Sequence, residues 1–361
     1  MSKRYNVLIT GPLPPPAGGI SIHISRLSNL IKNDFNIDFV DESSIIKKEY
    51  YNIRSFNPIP YLKKIISADL LYIHSGSNLL KKMHILIGKL FKKKIIITIH
   101  GYKKKRKMPF RLIDREIYKL ADKIILVNSD MIEKINLPIS KCIIKHAFLP
   151  PEMSEEAILP KKVIERITKA RLNNEVIICA NASRLDTYNN QDLYGLDICL
   201  EVTSKLINKK KLVSFIFNVS SLENGSDRYY QAKELIEKMS LEDNFLLINE
   251  NLSFVKLIEK CNIVLRPTNT DGDALTIRES IFLGKKVLAS DIVPRPTGTK
   301  LFKSRNVEDL EIQLNKLINC NNKKQETKSI DTEMKDLKKF YSTMINEYLS
   351  QKNKEQIHYQ N

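Results

Sequence analysis

The chain has 361 residues, more than one hydrophobic core usually organises, so two domains are expected. Hydrophobic residues make up 42% and charged residues 28%, which excludes a disordered chain, and no apolar run approaches the roughly 18 residues of a membrane-spanning helix. The net charge of +18 calls for an anionic partner, while five cysteines without a C-x-x-C pair argue against a disulfide framework or a zinc site and fit a reducing, cytoplasmic compartment.

The opening MSKRYNVLITGP carries an apolar run too short for a signal peptide; it reads as a first strand over residues 6–10. Further strands are expected at 37–40, 70–74, 95–100, 123–128 and 142–147, each a nearly continuous apolar run, as in parallel strands covered on both faces. Amphipathic helices at 20–31, 79–90, 111–120 and 131–135 separate them. Consecutive prolines at Pro150 and Pro151 then interrupt the rhythm, since proline stops both helix and sheet. A second series follows, with strands at 176–180, 213–218, 245–249, 263–265 and 286–290. Its helices are placed at 161–170, 196–206, 230–239, 254–260, 274–283 and 307–318. A last amphipathic helix is expected over 331–349, with Leu337, Phe340, Tyr341, Met344 and Tyr348 on one face and a fraying polar tail from Ser350. The βαβ rhythm implies α/β domains over 1–155 and 156–330, with 331–361 as closing helix and tail. Ligands of doubly wound sheets bind outside the carboxyl ends of the strands, so chemistry is sought there.

The charge is concentrated between Lys81 and Lys107, where Lys89, Lys92–Lys94 and Lys103–Lys105 add to the excess and apolar residues are interleaved. The stretch reads either as solvated surface or as attachment to an anionic membrane. Nucleic acid is not expected as a partner, because no stacking motif, zinc finger or heptad seam accompanies the charge.

Four segments carry candidate chemistry. In GPLPPPAGGI (11–20), Gly18 and Gly19 allow close backbone approach to a ligand, and the helix that begins there offers N–H groups to an anion. The spacing is not G-x-G-x-x-G, so a nicotinamide or flavin fingerprint is absent; a turn that simply needs glycines is the alternative. The motifs Ile73-His74-Ser75-Gly76 and Ile99-His100-Gly101 each end a strand on a histidine, with His100 the better donor contact and ordinary packed histidines the alternative. The most specific segment is RPTNTDGDALTIRESIFLG (266–284), which runs from a strand end through a glycine loop into a helix. Asp271 in the loop and Glu279 on the helix are spaced to converge on one polyol, whose hydroxyls carboxylates accept. The helix start around Gly272, Asp273, Ala274 and Leu275, after Arg266, places a positive dipole end where a diphosphate can sit, unless Asp273 merely caps the helix. Lastly, Arg184 follows the first strand of the second series, where it can reach a diphosphate bidentately, with Tyr194-Gly195 further on.

In this order the four pieces resemble the GT-B fold, and in particular the retaining glycosyltransferase family 4, over nearly the whole chain. The resemblance implies two Rossmann-like doubly wound domains facing a cleft. It matches Gly18 and Gly19 to the family's Gly-Gly turn and His100 to its cleft histidine. It matches Asp271 and Glu279 to its Glu-x7-Glu motif, whose first acid contacts the transferred sugar and whose second contacts the donor ribose, and Arg184 to its second-domain arginine. The family's Lys-Gly pair is Tyr194-Gly195 here, so the diphosphate lysine is missing and Arg266 or Arg278 is left to supply the charge. Implied is a hexosyltransferase-type enzyme that moves a sugar, with retention, from a nucleotide diphosphate sugar to a saccharide or lipid-linked acceptor in surface polysaccharide synthesis. No cofactor beyond that donor is expected. Asp271-Gly-Asp273 lacks the further ligand signals of a metal site, so no metal is expected either. An epimerase on the same fold, or a degenerate scaffold subunit favoured by the missing lysine, are the other readings.

Overall fold

Apolar runs become parallel strands here because helices cover both faces of each sheet. The computed structural model describes residues 4–16, 18–102, 108–128, 130–223, 225–250, 252–271, 274–320 and 330–358. Two compact units result: Met1–Leu149 with Ile330–Asn361, and Pro150–Ser329.

The first unit runs β1 (Asn6–Gly11), α1 (Gly19–Ile31), β2 (Asn36–Asp41), β3 (Tyr51–Asn52), α2 (Pro58–Ser67), β4 (Leu70–Ile73), α3 (Asn78–Leu90), β5 (Lys94–Ile99), α4 (Met108–Tyr118), β6 (Lys123–Leu126), α5 (Asp130–Ile135) and β7 (Cys142–Ile144). The seven strands are all parallel, in the order β3-β2-β1-β4-β5-β6-β7, so the chain reverses its direction of travel between β1 and β4. Alternation within β5 shows how the faces divide. Ile95, Ile97 and Ile99 pack with Tyr61, Ile65, Ile85 and Tyr118 of α2, α3 and α4, whereas Ile96 packs with Ile24, Leu27 and Ile31 of α1.

The second unit runs α6 (Lys161–Leu172), β8 (Val176–Arg184), a hairpin of β9 (Thr187–Tyr188) and β10 (Gln191–Asp192), α7 (Leu196–Asn208), β11 (Val213–Ser221), α8 (Ser226–Lys238), β12 (Phe245–Ile248), α9 (Phe254–Lys260), β13 (Ile263–Arg266), α10 (Leu275–Phe282), β14 (Lys286–Ser290), β15 (Lys300–Phe302) and α11 (Val307–Asn319). Its six-stranded parallel sheet has the order β12-β11-β8-β13-β14-β15, which repeats the winding of the first unit with the reversal between β8 and β13. Both units are therefore doubly wound, as the βαβ rhythm implies.

The expected elements form with ends shifted by a few residues, and among the described residues α2, β3, β9, β10 and β15 are added to them. Helix α2 is hidden in the sequence by Pro58 and Pro60, yet Pro58 sits in the first turn, where its missing N–H costs nothing, and the Asn57 side chain accepts from the Ile59 N–H at 3.1 Å. Strands β3 and β15 and the β9–β10 hairpin are too short to leave a periodic signal.

Helix α12 (Ile330–His358) returns to the first unit. Leu337, Tyr341, Met344, Ile345 and Leu349 are buried on the α1 face of the sheet, with Phe340 and Tyr348 at the margin. The helix does not end at Leu349 but continues to His358, because SQKNKEQIH contains neither glycine nor proline and is rich in good helix formers. None of the described helices is long and apolar enough to cross a membrane.

Candidate functional site

In the first unit the chemistry gathers where β4 and β5 end. A cavity of about 840 Å³ is lined by Ile20, by Ser75, Asn78 and Lys81 after β4, and by His100, Tyr102 and Phe110. Ile20 follows Gly18 and Gly19, so the glycine turn opens α1 at the edge of the cavity that His100 lines. A Cβ at Gly19 would meet nothing within 4 Å, and one at Gly18 only the Ser21 hydroxyl at 3.8 Å, which leaves that stretch of backbone open to a ligand. The Ser21 hydroxyl accepts from the Gly18 N–H at 2.8 Å and fixes the turn. Gly11 is required for a different reason: a Cβ there would stand 2.6 Å from Ile24 Cδ1 and 3.2 Å from His74 Cβ, where strand end and helix touch.

His74 and His100 are brought together, Nδ1 of the first 3.1 Å from Nε2 of the second, and His23 of α1 joins them. All three are held neutral. Burial lowers His23 to about 4 against the opposing pull of the Ala147 carbonyl. Burial, helped by the neighbouring rings, takes His74 well below its ordinary value; burial, with His23 and Lys81 nearby, does the same for His100.

A second buried network braces the β4 end. The Ser75 hydroxyl donates to Glu42, His84 Nε2 lies 3.1 Å from the same carboxylate oxygen, and His84 Nδ1 lies 2.7 Å from the Tyr61 hydroxyl. Asp41 clamps the loop after β1. Burial pushes its carboxyl up, but Lys47 at 2.8 Å and the N–H groups of Leu13 and Ser43 outweigh this and lower it. Glu42, His84 and His23 escape sequence reading, since each lies alone in an ordinary amphipathic or loop context.

The basic stretch is less of a free surface than its sequence suggests. Lys81 is buried and donates to the Asn78 side chain at 3.2 Å. Lys82 pairs with buried Asp114 at 3.1 Å, Lys89 with Asp122 at 2.8 Å, and Lys93 donates to the carbonyls of Ile66 and Ala68. Residues 103–107 lie outside the described residues.

In the second unit the loop after β13 meets the segment before α7. Arg266 grips Asp271 with two bonds, Nε at 3.0 Å and Nη2 at 3.2 Å; Arg295 donates to Asp271 at 2.8 Å, and the Thr268 hydroxyl donates to the same carboxylate at 3.1 Å. Burial favours the protonated acid, but the charges and hydrogen bonds of Arg266 and Arg295 win and hold the Asp271 carboxyl at about 2. The Arg266 guanidinium also lies 5.3 Å from the Tyr194 ring centroid. The Tyr194 ring is thus covered by an arginine. Gly195 is forced on two counts: its φ is +71°, and a Cβ would collide with Pro267. Asp192 caps the same turn, accepting from the N–H groups of Tyr194 and Gly195 at 2.8 and 2.9 Å. Ala274 precedes α10 and Leu275 opens it; Glu279 is buried on that helix, 3% exposed. Gly272 and Asp273 lie outside the described residues. Arg184 is exposed at the end of β8 and pairs with Asp186 at 3.1 Å, apart from the Arg266 cluster's bonded network.

Solved structures share this architecture. Anabaena Alr3699/HepE in complex with UDP-glucose matches with a TM-score of 0.66 and 11% identity, over 98% of this chain and all of that one. A glycosyltransferase from Rickettsia africae matches with a TM-score of 0.65 and 17% identity, over 98% and 97%. The E. coli trehalose-6-phosphate protein bound with UDP-2-fluoro glucose matches at 0.60 and 11%, over 96% and 99%. The chain has the GT-B fold. No protein-family model matches it, and no curated protein does.

On that fold the sequence-derived residues fall at the carboxyl ends of strands: the glycine turn after β1 and His100 after β5 in the first unit, Gly195 after β8 and its hairpin and Arg266 and Asp271 at the end of β13 in the second. What the sequence did not reveal is that Asp271 faces two guanidinium groups, because Arg295 lies far along the chain in a proline-rich loop.

Proposed function

We propose that this chain is a glycosyltransferase that moves a sugar from a nucleotide diphosphate sugar to an acceptor, with retention, in cell-surface polysaccharide synthesis. The observation that carries the reading is the β13–α10 loop, where two arginines fixed by one carboxylate stand beside the turn at Tyr194-Gly195 on a fold whose solved examples hold UDP-glucose. Arg266 takes the place of the missing lysine and stabilises the leaving diphosphate, with Arg184 as a further cation. Asp271 orients Arg266 and Arg295 and through them the sugar end of the site. Glu279 accepts from the donor ribose, Ala274 and Leu275 frame the diphosphate at the start of α10, and His100 contacts the donor near the reacting carbon. Neither a side-chain nucleophile nor a metal is needed for this transfer. Glu279→Gln is expected to lower kcat/KM by 10-fold or more, about 1.4 kcal/mol or above, and the anomeric configuration of the product, read by NMR, is expected to match the donor. Unchanged kinetics in the variant removes the ribose assignment, and an inverted product removes retention.

The acceptor is proposed to be lipid-linked. Leu79, Leu86 and Leu90 of α3 and Met108, Phe110 and Ile113 of the adjoining α4 are exposed apolar residues next to the basic stretch. A peripheral protein uses such a combination to bury apolar side chains at the headgroup level while lysines meet anionic lipid. Vesicle co-sedimentation is expected to require anionic lipid, fall with salt and drop in Leu90→Asp; equal binding to neutral vesicles contradicts the electrostatic part.

A further inference from the structure

Three of the six histidines meet in the first unit. His23 comes from α1, and His74 and His100 are the first residues past β4 and β5. Their ring centroids stand 5.1, 5.0 and 5.4 Å apart, a nearly equilateral triangle. One ring nitrogen from each lies within 4.8 Å of the other two.

The hydrogen bonding of this triangle is incomplete. His23 Nδ1 lies 2.7 Å from the Ala147 carbonyl oxygen, so Nδ1 carries the proton and Nε2 keeps its lone pair. That buried Nε2 has no hydrogen-bond partner among the described residues, and neither has Nε2 of His74. A buried polar atom left unpaired costs about 1–3 kcal/mol. With His74 Nδ1 as the donor to His100 Nε2, His74 Nε2 also keeps its lone pair, and two such nitrogens in one cluster point to a ligand that accepts lone pairs.

We propose that His23, His74 and His100 form a three-imidazole site for one divalent transition-metal ion of the Zn²⁺, Co²⁺, Ni²⁺ or Cu²⁺ class. Imidazole ligands suit these ions, whereas Mg²⁺ and Ca²⁺ prefer oxygen. Three nitrogens leave a fourth position for water or a ligand. Bonds of about 2.0–2.1 Å set tetrahedral ligand nitrogens roughly 3.3 Å apart. One nitrogen of each ring already lies within 4.8 Å of the others, so a nitrogen at that limit has only about an ångström and a half to move. The Ala147 carbonyl supplies the outer hydrogen bond that orients a metal-binding histidine and fixes its tautomer.

The metal site stands on the first unit alone. If His100 also serves sugar transfer, which rests on the reading above, the ion engages that ring and inhibits the reaction, and a chelator restores it.

The test is a titration of the chelator-treated full chain with Co²⁺, followed by visible absorption and by metal content. The expected result is one Co²⁺ per chain with the spectrum of imidazole ligation, displaced by Zn²⁺. Affinity should fall at least 10-fold in His23→Gln and in His74→Gln and stay unchanged in His146→Gln, whose exposed ring lies outside the triangle. If a buried-histidine variant does not fold, as read by circular dichroism, His100→Ala serves instead. No Co²⁺ binding by the wild type, binding that survives these substitutions, or a thiolate charge-transfer band pointing to Cys142 or Cys320 would each overturn the site. Co²⁺ bound as described but without effect on transfer keeps the site and removes His100 from the sugar chemistry.

Discussion

Asp271 accepts hydrogen bonds from two arginines and a threonine, so its chemistry is set by partners that spacing does not reveal. Its carboxyl titrates at about 2 in the fold against an ordinary 3.8. A depressed acid stabilises the fold fully above its ordinary pKa and loses that contribution as pH falls through the folded value. The window is thus roughly pH 4 to 2, and the stabilisation lost across it is about 2 kcal/mol. Urea unfolding should show the wild type ahead of Asp271→Asn by about 3 kcal/mol at pH 6, since removing one partner strands buried guanidinium groups. That lead should shrink by about 2 kcal/mol toward pH 2; a lead independent of pH would contradict the ion-pair account. The sequence made Asp271 legible as a functional acid through its distance to Glu279. It left Arg295 illegible, because nothing local to a loop arginine reports which carboxylate it will face. Tyr194 was legible as a departure from a family pattern, but the guanidinium above its ring was not.

Among the elements, the strands were the easiest to read. Runs such as Ile95–Ile99 residues are β-branched, short and bounded, and burial on both faces demands nothing more specific than apolarity. Helix α2 was obscured by the very prolines that its first turn tolerates. For α12 the apolar stripe was visible, but amphipathicity names a buried face and not its partner; that the stripe packs with α1 on the first sheet follows only from the fold. Tyr341 is 1% exposed at the centre of that contact. Tyr341→Ala is expected to cost about 3–5 kcal/mol, as for other large aromatic truncations in a core. Thermal unfolding followed by circular dichroism checks this, and a loss below 1 kcal/mol would mean that α12 is dispensable to the first unit.

Across the whole molecule, two sheets of the same winding recur on a chain only 11–17% identical to solved structures of that architecture. Such divergence is possible because the winding depends on where apolar runs fall, not on which apolar residues fill them. Function is constrained more locally, by the strand-end loops, and there the central claim can be met head-on. Thermal unfolding of the wild-type chain against a panel of nucleotide diphosphate sugars is that measurement. One of them at a hundredfold excess over its Kd should stabilise the fold by about 2.7 kcal/mol and raise Tm by a few degrees, with the shift reduced in Arg266→Ala. A panel in which no nucleotide sugar moves Tm, or one whose shift is indifferent to Arg266, would contradict the account.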